Sequence, residues 1–301
     1  VLPGFEGIHE LDVSNPQAPA LLGMVPLACG SHPATGVPDP ANNRLLVYNG
    51  ASDGTCPYFE IIEVPLTGTM IPKIVGLAPT GRGCHDISVI FGTTMMVNCA
   101  GGSGFTAFSI GGSRGGSLTS PQQLYTKSIT GVTIGHSTSF SWDGKVLIFG
   151  HEPGGGSAPR CQASSPAHEK SLFFFDSATG NELGRWMLPR PQTAAENCTI
   201  HNFNIVPQTD RNILVSGNYQ SGIAVVDFTD PANAVEIAHA DPSALSPLRL
   251  GGDWSSYWYD GYIYQSDITQ GLYVWELDDE AVEGAQSLGR LNPQTQENTL
   301  S

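Results

Sequence analysis

Charge is scarce in this chain, and positive charge most of all. Only 14% of its 301 residues are Asp, Glu, Lys or Arg, and 13 Lys and Arg stand against 28 Asp and Glu, for a net charge of −15. That shortage argues against nucleic acid as a partner, since phosphate binding needs clustered Lys and Arg. No apolar run approaches the length of a membrane span. Nowhere do apolar residues recur at three and four over a dozen positions without Gly or Pro intervening, so helices are not expected. Cys-x-x-Cys pairs are absent, which removes zinc ribbons and thioredoxin-type motifs. Gly-x-Ser-x-Gly is absent too, so no hydrolase elbow is indicated. The glycine-rich stretches Gly111–Gly116 and Gly154–Gly156 lack the strand-to-helix context of a phosphate loop. Disorder is excluded from the other side, because 40% of the chain is hydrophobic and can build a core.

What is abundant is turn chemistry, with 36 Gly and 22 Pro. Short apolar runs bounded by turn residues recur at Arg44–Tyr48, Met95–Val97, Lys145–Phe149, Asn212–Val215 and Tyr262–Tyr264. Asp143-Gly144 and Asp260-Gly261 each sit between alternating hydrophobics and predict hairpins. The fold class is therefore all-β.

One strand type recurs six times: Gly7–Val13, Phe59–Val64, Phe105–Ile110, Leu172–Asp176, Gly222–Phe228 and Gly271–Leu277. Its polar column reads Asp12, Glu63, Ser109, Asp176, Asp227, Glu276, in steps of 46 to 67 residues. A second strand type precedes it in five of the six units. A repeat of about 50 residues with four short strands is a propeller blade. The expectation is a single β-propeller domain over residues 1–301 with about six four-stranded blades, a seven-blade ring remaining open. The first blade is incomplete, lacking inner strands. Either the ring closes unusually or further sequence precedes Val1, where the chain reads as a mature or trimmed form.

Six cysteines lie at positions 29, 56, 84, 99, 161 and 198. Cys84 and Cys99 flank one hairpin, a geometry that suits a disulfide. Cys29 and Cys56 bracket the equivalent hairpin of the preceding blade, which leaves Cys161 with Cys198. This pairing favours an oxidising compartment over six buried thiols in the cytosol. Asn197-Cys198-Thr199 has the form of a glycosylation sequon, a triplet that also arises by chance.

When the inner strands are aligned on their hairpin turns, the residue seven positions before Asp39, Gly92, Asp143 and Asp260 is His32, His85, His136 and Asp253. His201 stands at nearly the same offset in the remaining unit. The first strand of a propeller blade lines the central channel, so one residue per blade at equal depth forms a ring around the axis. A lone histidine here would be a strand cap bonded to backbone or channel water. Four of the chain's eight histidines in one column point instead to a transition-metal site, because neutral imidazole with carboxylate suits Cu, Fe, Zn or Mn. Converging imidazoles should depress one another's pKa. His32, His85, His136 and His201 are the expected ligands, and Asp253 a fifth ligand or a catalytic base. Asp86 follows His85 directly, and alternation along a strand would turn it to the opposite face. His151-Glu152 reads as a loop pair rather than part of the channel mouth. Trp254, Tyr257, Trp258 and Tyr259 read as core packing, with a stacking wall for a ligand as the alternative.

The segments Cys29-Gly30-Ser31-His32, Cys84-His85-Asp86-Ile87, His136–Lys145, Cys198–Asn204, Val226–Pro231 and Trp254–Trp258 resemble the LVIVD-repeat family of secreted bacterial β-propellers. The resemblance spans most of residues 5–280 and implies the fold and a secreted, extracellular or cell-surface location. A more distant likeness, carried only by the histidine column, is to the selenium-binding and methanethiol-oxidase propellers and the carotenoid oxygenases, which implies an axial metal. Two functions follow as expectations. One is a secreted propeller whose axial metal performs oxidative chemistry on a small molecule. The other is a non-catalytic extracellular scaffold that binds a protein partner, or itself, through the long loops Gly111–Gln123 and Pro153–Lys170.

Overall fold

The computed structural model describes residues 6–51, 56–67, 72–245, 249–297 and 300. Strands β1 (Gly7–Asp12) and β2 (Ala20–Pro26) pair only with each other. Four sheets then repeat one antiparallel meander. They are β3 (Ala34–Asp39), β4 (Arg44–Asn49), β5 (Tyr58–Pro65) and β6 (Lys73–Pro79); β7 (Asp86–Ile90), β8 (Met96–Gly101), β9 (Gly104–Ser109) and β10 (Gln122–Ser128); β11 (Gly135–Phe140), β12 (Val146–His151), β13 (Ser171–Asp176) and β14 (Glu182–Met187); and β15 (Asn202–Ile205), β16 (Ile213–Gly217), β17 (Ile223–Asp227) and β18 (Val235–Ala240). A three-stranded sheet of β19 (Asp253–Tyr259), β20 (Tyr262–Asp267) and β21 (Gly271–Glu276) follows, and then β22 (Thr295–Gln296). The six copies of the recurring strand are β1, β5, β9, β13, β17 and β21, so each repeat is one blade. The first sheet lacks inner strands, as the repeat implied, and the last also lacks its outermost strand.

The turns form for the reason their residues suggest. Asp260 and Gly261 adopt φ of 51° and 88°, the left-handed pair that matches the right-handed twist of β19 and β20. Hydrophobic cores lie between successive sheets. Phe105, Phe149, Phe173 and Phe175 fill one interface, and Phe174 stacks on Phe228 at 5.0 Å in the next. Inner strands β3, β7, β11, β15 and β19 are consecutive neighbours around the axis. β22 pairs in parallel with β7 through Val89 and Ile90, at the end of the inner strands opposite the histidine-bearing end. Thr295 Oγ1 and Asn292 Nδ2 donate to Gly36 O, and Gln296 Nε2 donates to Phe140 O.

All three cysteine pairings are present, Cys29–Cys56, Cys84–Cys99 and Cys161–Cys198, with Cα separations of 5.9, 5.5 and 5.5 Å. No described helix is long and apolar enough to cross a membrane. The Asn197 sequon is spoken for structurally. Its side chain is fully buried, donates to Gly156 O, and accepts from Gln220 Nε2 and Gly251 N.

Candidate metal centre

The four histidines of the column meet. Their rings form a chain from His32 to His85, His136 and His201, with successive centroids 4.2, 3.9 and 4.5 Å apart. Each lies at the N-terminal end of an inner strand, which is why they share the same or nearly the same offset from their hairpin turns. His136 and Ser137 sit where β11 shifts register between Gly135 and Thr138, and such a bulge re-aims side chains. His136 and His201 are buried, whereas His32 lies at the exposed rim.

The hydrogen bonds assign the protons. His201 Nδ1 lies 2.7 Å from Trp254 O, and a carbonyl only accepts, so Nδ1 donates and Nε2 carries the lone pair. His136 Nδ1 lies 2.6 Å from Ser137 Oγ. Ser137 Oγ already donates to His201 O, so it accepts from His136, and His136 Nε2 is likewise left as the acceptor. His85 Nδ1 lies 3.0 Å from Asp86 Oδ1, which accepts its proton in the same way. Three imidazoles thus turn Nε2 lone pairs away from their partners, the arrangement that metal-ligating histidines adopt.

Burial holds the His136 and His201 rings neutral. His201 is pushed down to about 4 by desolvation. His136 falls well below the ordinary histidine value through burial and the neighbouring His201, His85 and His32. His32 is lowered by partial burial and by His85.

Two carboxylates complete the cluster, and they are Asp86 and Glu152. Glu152 Oε1 lies 3.4 Å from His201 Nε2, and Glu152 Oε2 lies 3.7 Å from His136 Nε2. Asp86 Oδ2 lies 4.0 Å from His136 Nδ1. Two groups of ligand atoms within 4.8 Å of one another result, His85–Asp86–His136 and His136–Glu152–His201. Both carboxylates correct the reading from sequence. Asp86 joins because His85 lies in the bend before β7, where strand alternation does not hold. Glu152 joins because Gly135 pairs with His151, which brings the end of β12 level with His136. That register was the signal available in the sequence. His151 itself faces away, toward Thr133 N and His168 O.

Asp253 does not join the ligand groups: it precedes Trp254, whose carbonyl holds His201, and its own carboxylate is turned to Ser256. β19 shifts register between Asp253 and Ser255, and the Asp253 carboxylate accepts from Ser256 Oγ at 2.6 Å. Asp253 is fully buried, its Oδ1 has no hydrogen-bond partner, and desolvation pushes it up to about 7. Of the aromatic run, Trp258 is core, whereas Trp254 stands half-exposed at the mouth with its ring 4.7 Å from His201.

The central feature is a confrontation of acceptors. With His136 and His201 neutral, two Nε2 lone pairs face the oxygens of a buried carboxylate at 3.7 and 3.4 Å. His201 Nε2 is fully buried without a hydrogen-bond partner. Such orphaned buried acceptors are costly unless a cation or proton lies among them. This donor set, imidazole nitrogen with carboxylate oxygen, fits a first-row transition metal.

No protein-family model matches the chain, and no curated protein does. The LVIVD resemblance is therefore without a matching family model. Solved structures do match. A protein from Lactobacillus plantarum aligns with a TM-score of 0.56 at 13% identity, covering 93% of this chain and 77% of that one. Sqt1 of Saccharomyces cerevisiae aligns with a TM-score of 0.54 at 10% identity, covering 93% of this chain and 78% of that one. Both are propeller-like folds, and with the repeated antiparallel sheets they establish this chain as an all-β protein of the β-propeller fold.

Proposed function

We propose that this protein is an extracellular β-propeller that holds a transition-metal ion, copper, iron, zinc or manganese, on its axis and uses it in oxidative chemistry on a small molecule. One observation carries the reading: the unpartnered, buried His201 Nε2 aimed, with His136 Nε2, at the Glu152 carboxylate. His136, His201 and Glu152 would be the inner ligands and His85 the next. His32 lies toward solvent, where it serves the rim or an incoming molecule. An ion held this way would supply Lewis-acid or redox character at the channel mouth. The chain's own residues orient the ligands through Asp86, Ser137 and the Trp254 carbonyl, and β22 lies at the opposite end, so small molecules enter past His32 and Trp254. Asp253, able to hold or release a proton near neutral pH, is the candidate base in the channel wall. Three disulfides fit the extracellular assignment.

The test is elemental analysis of protein purified without a tag or chelator. About one transition-metal ion per chain supports the centre, on the stoichiometry of a single closed ligand set. Protein that stays metal-free after incubation with Cu, Fe(II), Zn and Mn, followed by desalting, overturns it. The scaffold reading would then stand, and it has support of its own. All six residues of β21 are exposed, Leu272 and Val274 among them, and Leu11, Leu21 and Leu22 of β1 and β2 are exposed too. The loop over 153–170, by contrast, is clamped by Cys161–Cys198 and by Lys170 Nζ donating to Gln162 O and Ala163 O.

A further inference from the structure

Tyr219 is held in a conformation that a bulky residue rarely adopts. It lies in the loop between β16 and β17 with φ of 54°. The other described non-glycine residues with positive φ are Asn43, Met95 and Asp260, all at the surface or partly exposed in hairpin turns, whereas Tyr219 is 1% exposed. Backbone bonds hold it on every side: Tyr219 N donates to Asp253 O, Asp253 N and Gly222 N donate to Tyr219 O, at 2.8 to 2.9 Å. Two glycines make its seat. A Cβ on Gly156 would lie 2.1 Å from the Tyr219 hydroxyl, and one on Gly252 would lie 2.3 Å from its backbone. Its ring lies 4.4 Å from that of His201 and stands at 90° to Trp254. Its hydroxyl donates to Glu152 Oε1 at 2.6 Å. The phenols of buried Tyr48 and half-buried Tyr125 differ in kind, for they donate to loop carbonyls, Leu118 O and Ser177 O. Strained, over-determined backbone concentrates where a side chain must be aimed.

We infer that Tyr219 is the positioning residue of the axial centre: its phenol fixes the rotation of the Glu152 carboxylate so that Oε1 and Oε2 address His201 and His136. This rests on reading the cluster as a metal centre. The phenol touches neither the ion's place nor a substrate; it acts through Glu152. Without it the carboxylate could turn freely, and the ion would lose a set geometry rather than a ligand type.

Co(II) titration, followed by its visible absorption bands, tests this in four proteins: wild type, Y219F, E152Q and the double variant. Y219F should weaken Co(II) binding by about 10- to 100-fold and alter the band pattern, as for loss of an outer partner of a ligand. In the E152Q background the same change should alter affinity by less than about threefold, because partners acting as a unit are not additive. Gly156→Ala is the second route: Tyr219 and Glu152 stay in the sequence, its Cβ displaces the hydroxyl although φ of 69° there also strains the loop, and it should reproduce the spectral change. It carries the same cycle if Y219F does not fold. Wild-type binding with an unaltered Y219F spectrum, or an equal loss in both backgrounds, overturns the positioning role alone. Failure of the wild-type protein to bind Co(II), Zn or Cu overturns the metal centre and this role together.

Discussion

The two ends of the axial channel are built from the same five inner strands and solve opposite problems. At the far end, donors meet acceptors: Thr295 and Asn292 cap Gly36 O, Gln296 caps Phe140 O, and Trp142 Nε1 donates to Ile205 O. At the near end, acceptors face acceptors, with His136 Nε2, His201 Nε2 and the Glu152 carboxylate crowded together. β7 links the two, from Asp86 beside the histidines to Ile90 beside β22, a span of roughly 13 Å at the usual strand rise. The contrast teaches that a propeller axis is not inherently a polar hole needing a ligand. The chain fills one end with its own backbone partners and leaves the other with lone pairs that only a cation or proton can satisfy.

The largest expected effect breaks the near end. His136→Ala should take the metal content from about one ion per chain to none, because loss of one of three inner ligands opens the set; stoichiometric metal in that variant, measured by inductively coupled plasma mass spectrometry, would falsify the ligand assignment. Next comes acid sensitivity of the metal-free protein. His201 titrates at about 4 folded against an ordinary 6.5. Between those values the unfolded chain binds a proton that the folded chain refuses, so stability falls as pH drops from 6.5 toward 4. That is about 3 kcal/mol for this residue, at 1.36 kcal/mol per unit, and denaturant melts across this range read it out.

Asp253 acts with the opposite sign in an overlapping window. Its folded value of about 7 exceeds the ordinary 3.8, so the folded state holds the extra proton and stability is lost as pH rises from 3.8 through 7. Asp253→Asn should therefore be more stable than wild type at pH 8, by about 2 kcal/mol, since an unpaired buried charge is removed, with the gap closing below pH 7. The same variant isolates the histidine slope; a gap independent of pH would show that Asp253 is not the titrating group. The smallest effect belongs to the far end. Thr295→Val removes the donor to Gly36 O and should cost about 1 kcal/mol while leaving metal content unchanged. A loss of metal there would mean the two ends are coupled, and the contrast drawn between them would fail.

Much of this is legible in the sequence. The recurring strand marks β1, β5, β9, β13, β17 and β21 because each is a short run with apolar residues closed by turn residues, and such patterns are local. The cysteine pairs and the histidine column followed from register, since strands of equal length folded on similar turns place equivalent residues at equal depth. The carboxylates were not legible in the same way. Strand alternation turns Asp86 to the wrong face, because His85 lies just outside β7. Glu152 reads as a loop residue from its proline- and glycine-rich surroundings, although its pairing level with His136 is implicit in the hairpin. Asp253 shared the column's offset, yet the register shift at Trp254 turns its carboxylate to Ser256 and frees the Trp254 carbonyl for His201.

By itself the sequence determined an all-β repeat, its disulfide pairing and the convergence of His32, His85, His136 and His201, because period, turn chemistry and spacing act within one hairpin. Only the tertiary structure decided which carboxylates join them, which imidazole nitrogen bears the lone pair, and that a strained tyrosine aims Glu152. Those outcomes depend on one-residue bulges and on hydrogen bonds between blades far apart in the chain, such as Tyr219 to Glu152 and Ser137 to His201, and no local pattern encodes them.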